Sequence, residues 1–174
     1  MSAEAPLKTW SYSPEQEARF QEFLKNGASL HPNFGDVRNS TVHWTPLARP
    51  LSQCRVALLS TGGVHLKSQK PFHVEGHEGD WSFREIPSDT PASEFQVTHT
   101  HYNHDDADQD INCMFPVDRL RELREEGFIG ELTPTFFGFM GFMPDPVHLV
   151  QETTPQAARW LKEEAADLAL LTCG

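Results

Sequence analysis

Cationic residues are scarce in this chain: 14 Lys and Arg stand against 25 Asp and Glu, a formal net charge of −11 over 174 residues. An acidic protein gains nothing from counterion release on nucleic acid or from the potential of an anionic membrane, so neither is an expected partner. Long apolar runs are missing too, and none approaches the roughly 18 residues of a spanning helix. The opening MSAEAPLKTW has no apolar stretch, so it reads neither as a secretory signal nor as an anchor. Cysteine is sparse: Cys54, Cys113 and Cys173 form an odd set without CxxC spacing. That pattern argues against a disulfide framework or a zinc knuckle and predicts a reducing, cytoplasmic setting. GxGxxG and P-loop spacings are both lacking, so no nucleotide cofactor is indicated.

What is present alternates. Ser13-Pro14 reads as a helix start, with Phe20, Phe23 and Leu24 on the way to a stop at Asn26-Gly27. Residues 28–52, rich in Pro, Asn and Ser, read as an irregular arm. The chain therefore divides into an N-terminal helix and arm over residues 1–53 and a domain over 54–174. Strand candidates in that domain are residues 55–60, 95–99, 135–142 and 167–171, with an edge strand around Trp81, Phe83 and Glu85. Helices are predicted near 116–126 and from Thr154-Pro155 to Ala165, the latter with Ala158, Leu161 and Ala165 on one face. Strands alternating with helices predict a single-domain α/β fold, with a mainly parallel sheet flanked by helices, Rossmann- or flavodoxin-like. The runs 55–60, 95–99 and 167–171 are expected to be neighbours in it.

Sites in such sheets gather at the carboxyl ends of the strands. Four unusual stretches fall at predicted strand ends: Thr61 to His65 (TGGVH), Thr98 to Asp110 (THTHYNHDDADQD), Gly138 to Gly141, and Thr172 to Gly174. The second packs three histidines and four aspartates into thirteen residues. His99 and His101, two apart, point to one side of an extended backbone, and Asp110 could return to them after a turn. Two imidazoles and a carboxylate suit Zn²⁺, Fe²⁺ or Mn²⁺. The same groups suit metal-free acid–base work, and a solvated acidic turn is the plainer alternative. Gly62 and Gly63 would allow a close backbone approach to a ligand, and His65 follows at the same rim. Arg84 and Lys67 are candidates to meet a substrate carboxylate, although an arginine in an edge strand more often joins a structural ion pair. Cys173, at a strand end, is the one thiol placed where a nucleophile would be useful.

The segments STGGVHLKSQKPF, GDWSFREIP, VTHTHYNHDDADQDINCMFPVDRLRELREEGFIG, FFGFMGF and LLTCG occur in that order. Together they resemble the selenoprotein B subunit of the glycine/sarcosine/betaine and D-proline reductases. The resemblance covers about residues 54–174 and is most specific in DINCMFPVDRLRELREEG. It implies an oxidoreductase that reductively cleaves a C–N bond at the α-carbon of an amino acid or methylated amine. It also implies a pyruvoyl-bearing partner subunit that holds the amine, and a selenocysteine following a strand end of the type LT-x-G. Leu171-Thr172-Cys173-Gly174 stops one residue short of that position, and the family's downstream half-motif with its second cysteine is absent. A selenocysteine codon read as a stop, or a truncation, would leave the chemistry beyond Gly174. A natural short form would rest it on the rim histidines and Cys173.

On this reading His65, His99 and His101 position substrate or relay protons, with Asp110 and Asn112 orienting them. Gly62, Gly63, Lys67 and Arg84 meet a small amino-acid-like or amine substrate. A metal at His99, His101 and Asp110 is a candidate addition, and a homo-oligomer a candidate assembly. Two other classes compete: a metal-dependent lyase or hydrolase with a bound water as nucleophile, and a partner-binding subunit inert on its own. The site reading requires the three histidines to converge on one pocket.

Overall fold

The structure is a computed structural model that describes residues 46–75, 79–143 and 147–173, with the isolated positions Pro14, Ala18 and Lys25. Those three positions are helical and exposed, within the predicted N-terminal helix; the rest of that helix and the arm to residue 45 lie outside the described residues. Contacts divide the chain into two units, Met1–Thr41 and Val42–Gly174, and the second carries the α/β fold.

The main sheet is built around β1 (Arg55–Ser60). Val56, Ala57 and Leu58 are buried, as expected for a strand covered on both faces. On one side β1 pairs in parallel with β5 (Glu131–Leu132) and then β6 (Thr135–Phe139). These two are successive pieces of one line interrupted at Thr133-Pro134. On the other side β1 pairs in parallel with β7 (Leu168–Thr172), from Val56 opposite Leu168 to Ser60 opposite Thr172. β3 (Phe83–Pro87) closes the far edge, antiparallel to β6. The predicted mainly parallel sheet, its neighbours at 55–60 and 167–171 and its edge strand are thus all present.

One placement differs. Phe95–Val97 (β4) is not in the parallel sheet; it pairs antiparallel with β2 (Val64–Leu66) in a separate two-stranded sheet. Three residues separate β1 from β2, enough for a sharp turn but not for a crossover, so the chain leaves the main sheet and β4 follows β2. The apolar alternation Phe95, Gln96, Val97 marks a strand without saying which sheet takes it.

Helices cover both faces. α1 (Asp105–Gln109) is a short helix inside the His/Asp stretch that the residue pattern did not announce. α2 (Val117–Glu125) buries Val117 and Leu120 and stops at Gly127, whose φ of 73° suits glycine. α3 (Thr154–Glu163) follows a π-helical turn over Leu149–Thr153. Its inward face is Ala157, Trp160 and Leu161, whereas Ala158 is exposed and Ala165 lies past the helix end at φ 56°. The predicted face was therefore rotated by about one residue. Along β6 the side chains alternate: Phe136 joins Val56, Leu58, Phe115 and Val117 on the α2 side, while Phe137 and Phe139 meet Ala157 on the α3 side. No helix among the described residues is long and apolar enough to cross a membrane.

Close backbone approach welds the small sheet to the large one. A Cβ on Gly138 in β6 would stand 1.9 Å from the carbonyl oxygen of Val64 in β2. Backbone cannot swing aside as a side chain can, so Gly138→Ala is expected to cost about 3 kcal/mol or more in urea unfolding, the upper end of overpacking effects. Gly127→Ala meets nothing within 4 Å. It should cost only the left-handed penalty of about 1–2 kcal/mol. Equal losses at the two positions would show that the inter-sheet contact is loose.

Candidate functional site

The carboxyl ends of β1, β6 and β7 meet at one rim. The Thr61 amide donates to the Thr172 carbonyl at 3.0 Å, so Cys173 leaves β7 beside the exit of β1. Gly63 donates to the Phe139 carbonyl at 2.9 Å, and Gly62 bridges Met140, which joins the exit of β6. The His/Asp stretch arrives from the small sheet. Thr98 donates to the Gly63 carbonyl at 3.0 Å, and a Cβ on Gly63 would lie 3.4 Å from the His99 Cβ. Although β4 is outside the parallel sheet, its continuation reaches the same rim.

His99 and His101 are brought together there, with ring centroids 5.7 Å apart. The His101 amide donates to His99 Nδ1 at 3.0 Å, so the neutral His99 ring carries its proton on Nε2. Burial lowers the His99 pKa, with the charges of His101 and His104 adding to it. The His101 ring stacks on Phe142 at 3.7 Å, which fastens the segment after β6 to the same rim. Tyr102, absent from the sequence-derived candidates, lies at the centre. Its hydroxyl donates to the Gly62 carbonyl at 2.5 Å and sits 3.0 Å from Met114 Sδ, while its ring lies 4.4 Å from that of His99. Burial, with the Asp108 and Cys113 charges, pushes the tyrosine pKa up to about 12. The signal for it was its place beside His101, in a chain with only two tyrosines.

Several expected site residues are placed elsewhere. His65 does not converge with His99 and His101 on a pocket. It is fully buried, its Nδ1 bonded to the Leu66 carbonyl and its Nε2 to Thr98 Oγ1, both at 2.8 Å. The strand period turns His65 away from the core face of Val64, Phe95 and Val97, onto the side of Gln96, where it lies against Phe72 and both nitrogens find partners. Arg84 cannot offer a free fork to a carboxylate. Nε donates to Lys70, Nη1 to Ser82 and Phe83, and Nη2 to Pro71 and Asp80, with the guanidinium 4.2 Å above the Phe72 ring. Lys67 is at the end of β2, bonded to the Ser93 carbonyl at 2.6 Å.

Asp110 and Asn112 form a fastener rather than turning back to the histidines. Asp110 accepts from the Asn112 amide and side chain, and Asn112 in turn accepts from the Asp118 amide in the first turn of α2. Arg121 completes the set by donating to Asp118 at 2.9 Å and to the Ser88 and Thr90 carbonyls. His99, His101 and Asp110 therefore do not form a metal-binding triad. Among the described residues no group of three or more His, Cys, Asp and Glu is placed to hold a metal ion. Cys54 is buried before β1, whereas Cys113 and Cys173 are exposed.

Asp80 illustrates how the loops under the rim are held. Burial raises its pKa, but hydrogen bonds from the Ser82 hydroxyl and from the His73 and Ser82 amides, with the Arg84 charge, outweigh that and leave it lowered. For His65, burial lowers the pKa, opposed by the Leu66 hydrogen bond and aided by Arg84. The signs lead to two expectations. A lowered histidine pKa means that the unfolded chain binds the proton more readily. Stability from neutral His65 is thus complete above the ordinary value of 6.5 and lost as pH falls through the folded value. Urea midpoints should drop on acidification below pH 6.5, and His65→Asn should flatten that slope while lowering the neutral-pH midpoint. Asp80→Asn should destabilise at neutral pH, and the difference from wild type should vanish as pH falls through the lowered carboxylate value.

Comparison with known proteins agrees with the motif order. The sequence profile of glycine/sarcosine/betaine reductase selenoprotein B matches residues 33–174. D-proline reductase subunit gamma of Acetoanaerobium sticklandii is 46% identical over 131 residues, covering 75% of this chain and 53% of that subunit. Glycine reductase complex component B subunit gamma of Symbiobacterium thermophilum is 29% identical over 131 residues, 73% of this chain and 30% of that subunit. A sarcosine reductase complex component B subunit beta of Peptoclostridium acidaminophilum is 28% identical over 100 residues, covering 55% of this chain and 22% of that subunit. The chain thus spans about half the length of the D-proline reductase relative and less of the others. No solved structure gives a significant match. The chain belongs to the glycine/sarcosine/betaine reductase selenoprotein B family.

Proposed function

We propose that this chain is the B-component part of an amino-acid reductase, with the rim at the ends of β1, β6 and β7 as its reacting face. The observation that carries the reading is the meeting of Gly62-Gly63, His99 and the end of β7 at one place, in a member of a reductase family. The reaction class replaces a C–N bond at an α-carbon. It consumes two electrons and releases an amine, which must be protonated as it leaves. A selenocysteine following an LT-x-G strand end, as the family resemblance implies, would supply the attacking group, and the end of β7 at the rim, with Thr172 bonded to Thr61, supports that reading. A pyruvoyl-type partner subunit would present the small amino acid or methylated amine.

His99 suits a substrate-positioning role. It is held neutral by burial and its neighbours, and its Nε2–H is left without a hydrogen-bond partner among the described residues. A neutral ring offers that N–H as a hydrogen bond to the substrate while the leaving amine takes its proton from solvent, and removing one such donor costs about 10²–10³-fold. His101, pinned against Phe142, lines the approach.

The second reading is a subunit that binds partners and has no chemistry of its own, favoured by β7. Leu168, Leu170 and Leu171 are exposed on that edge strand, Leu171 by 71%. The test is C–N cleavage of D-proline, glycine, sarcosine and betaine by the complete reductase reassembled around this chain with a dithiol reductant. Turnover of one of the four is expected, falling about 10²-fold in His99→Ala while partner binding stays intact. Turnover unaffected by His99→Ala would overturn the positioning role of His99, and cleavage of none of the four would overturn the reductase reading.

A further inference from the structure

We infer that Tyr102 is the positioning residue of this rim, its hydroxyl clamping the Gly62 carbonyl so that its ring becomes the floor that holds His99 at the end of β1. The inference rests on the reading of the rim as the reductase face, and it assigns a role to a residue that neither the motif nor the fold required.

Four contacts converge on this side chain. Its hydroxyl donates to Gly62 O at 2.5 Å, reaching across 40 positions of sequence to the exit of β1. Met114 Sδ, 3.0 Å from that hydroxyl, fills the space left by the missing Gly62 side chain, where a Cβ would stand 1.9 Å from the sulfur. The ring lies against His99 at 4.4 Å on one side and edge-on to His104 at 5.9 Å on another. The stretch from Thr98 to His104 contains no regular element, so these contacts, the Thr98–Gly63 hydrogen bond and the His101–Phe142 stack must fix it.

The chemistry of the hydroxyl fits a permanent donor. Its pKa of about 12 keeps the proton in place across the working range. The groups whose charge reaches His99 are His101 and His104, and His104 is bonded to Asp108 at 2.8 Å. The half-buried hydroxyl needs a partner and finds it in the Gly62 carbonyl, which ties the ring to the β1 exit. Phenylalanine would fill the same volume, which makes the hydroxyl separable from the ring.

The experiment follows the ring protons of His99 by NMR against pH, in the full chain, for wild type, Tyr102→Phe and Met114→Leu. Tyr102→Phe keeps the ring and deletes the clamp. It is expected to admit water beneath His99 and move its titration upward, toward the ordinary histidine value of 6.5. The Gly63 amide, bonded to Phe139, should exchange about fivefold faster, as one lost hydrogen bond predicts. Met114→Leu keeps the clamp and should leave the titration in place. An unchanged titration and unchanged Gly63 exchange in Tyr102→Phe would overturn the role, as would an equal shift in Met114→Leu. Should Tyr102→Phe fail to fold, wild type decides: a slowly exchanging Tyr102 hydroxyl proton close to Gly62 supports the clamp, and one in free exchange with water overturns it. The titration needs no substrate. An active reductase with an unshifted Tyr102→Phe titration therefore removes only the Tyr102 role, and an inactive reductase with a shifted one removes only the reductase reading.

Discussion

Missing side chains set the geometry on which everything else rests. At Gly138 the β2 backbone passes so close to β6 that no Cβ fits, and at Gly63 the Thr98 carbonyl would lie 2.4 Å from one. These two approaches press the small antiparallel sheet against the carboxyl end of the parallel one. Without them the β4 continuation would stand off by at least the thickness of a methyl group, and His99 would not reach the strand ends. The glycines of TGGVH and FFGFMGF are thus packing devices first. Gly62 and Gly63 are themselves buried, Gly62 under Met114 and Gly63 against the Thr98 carbonyl, so the expected close approach of a ligand to their backbone is taken by the protein's own chain.

Polar residues in the His/Asp stretch divide into two groups with different work. The first half, His99 to Tyr102, faces the rim and is held by ring contacts and by backbone. The second half, from His104 onward, is consumed by structure: His104 pairs with Asp108, and Asp110 and Asn112 cap the turn into α2. Each fastener fixes a charge that would otherwise repel its neighbours, since four aspartates within six residues must find donors or water. A dense run of ligand-type residues therefore need not gather its side chains at one point. Here the short helix α1 sends Asp110 away from the imidazoles.

Much of this was legible in the residues. The α/β class, the parallel partners 55–60 and 167–171, the helix stop at Gly127 and the family follow from strand and helix periods and from motif order. The sheet membership of Phe95–Val97 was not, because a three-residue apolar alternation looks alike in either sheet and only the short β1–β2 turn decides it. His65 misled for a related reason. Its position after two glycines suggested a rim, and the strand period put it on the side of exposed Gln96, yet Phe72 lies against it there, burial favours the neutral ring and both nitrogens find acceptors or donors. Arg84 and Lys67 could not be resolved by type alone. A guanidinium with five donors is satisfied as well by loop carbonyls as by a substrate, and sequence does not show which carbonyls are near. Tyr102 was overlooked because its partner, a glycine carbonyl, carries no side-chain signature.

The outer edge of the sheet shows the same tension between local chemistry and context. Leu168-Ala169-Leu170-Leu171 has the uninterrupted apolar character of a parallel strand covered on both faces. Yet Leu168 and Leu170 are exposed although they stand opposite Val56 and Leu58, which are buried, and Leu171 is largely open. Edge strands usually carry a charge, a proline or a bulge that discourages further pairing, and β7 has none of these. The residue just before it is instead tied down, because Asp167 accepts from the Arg55 amide and pairs with Arg49. The strand that delivers Cys173 to the rim is therefore firmly registered at its start and left apolar along its length. Cys173 at its end thus takes its position from β1, through five paired residues, rather than from whatever lies on the open side.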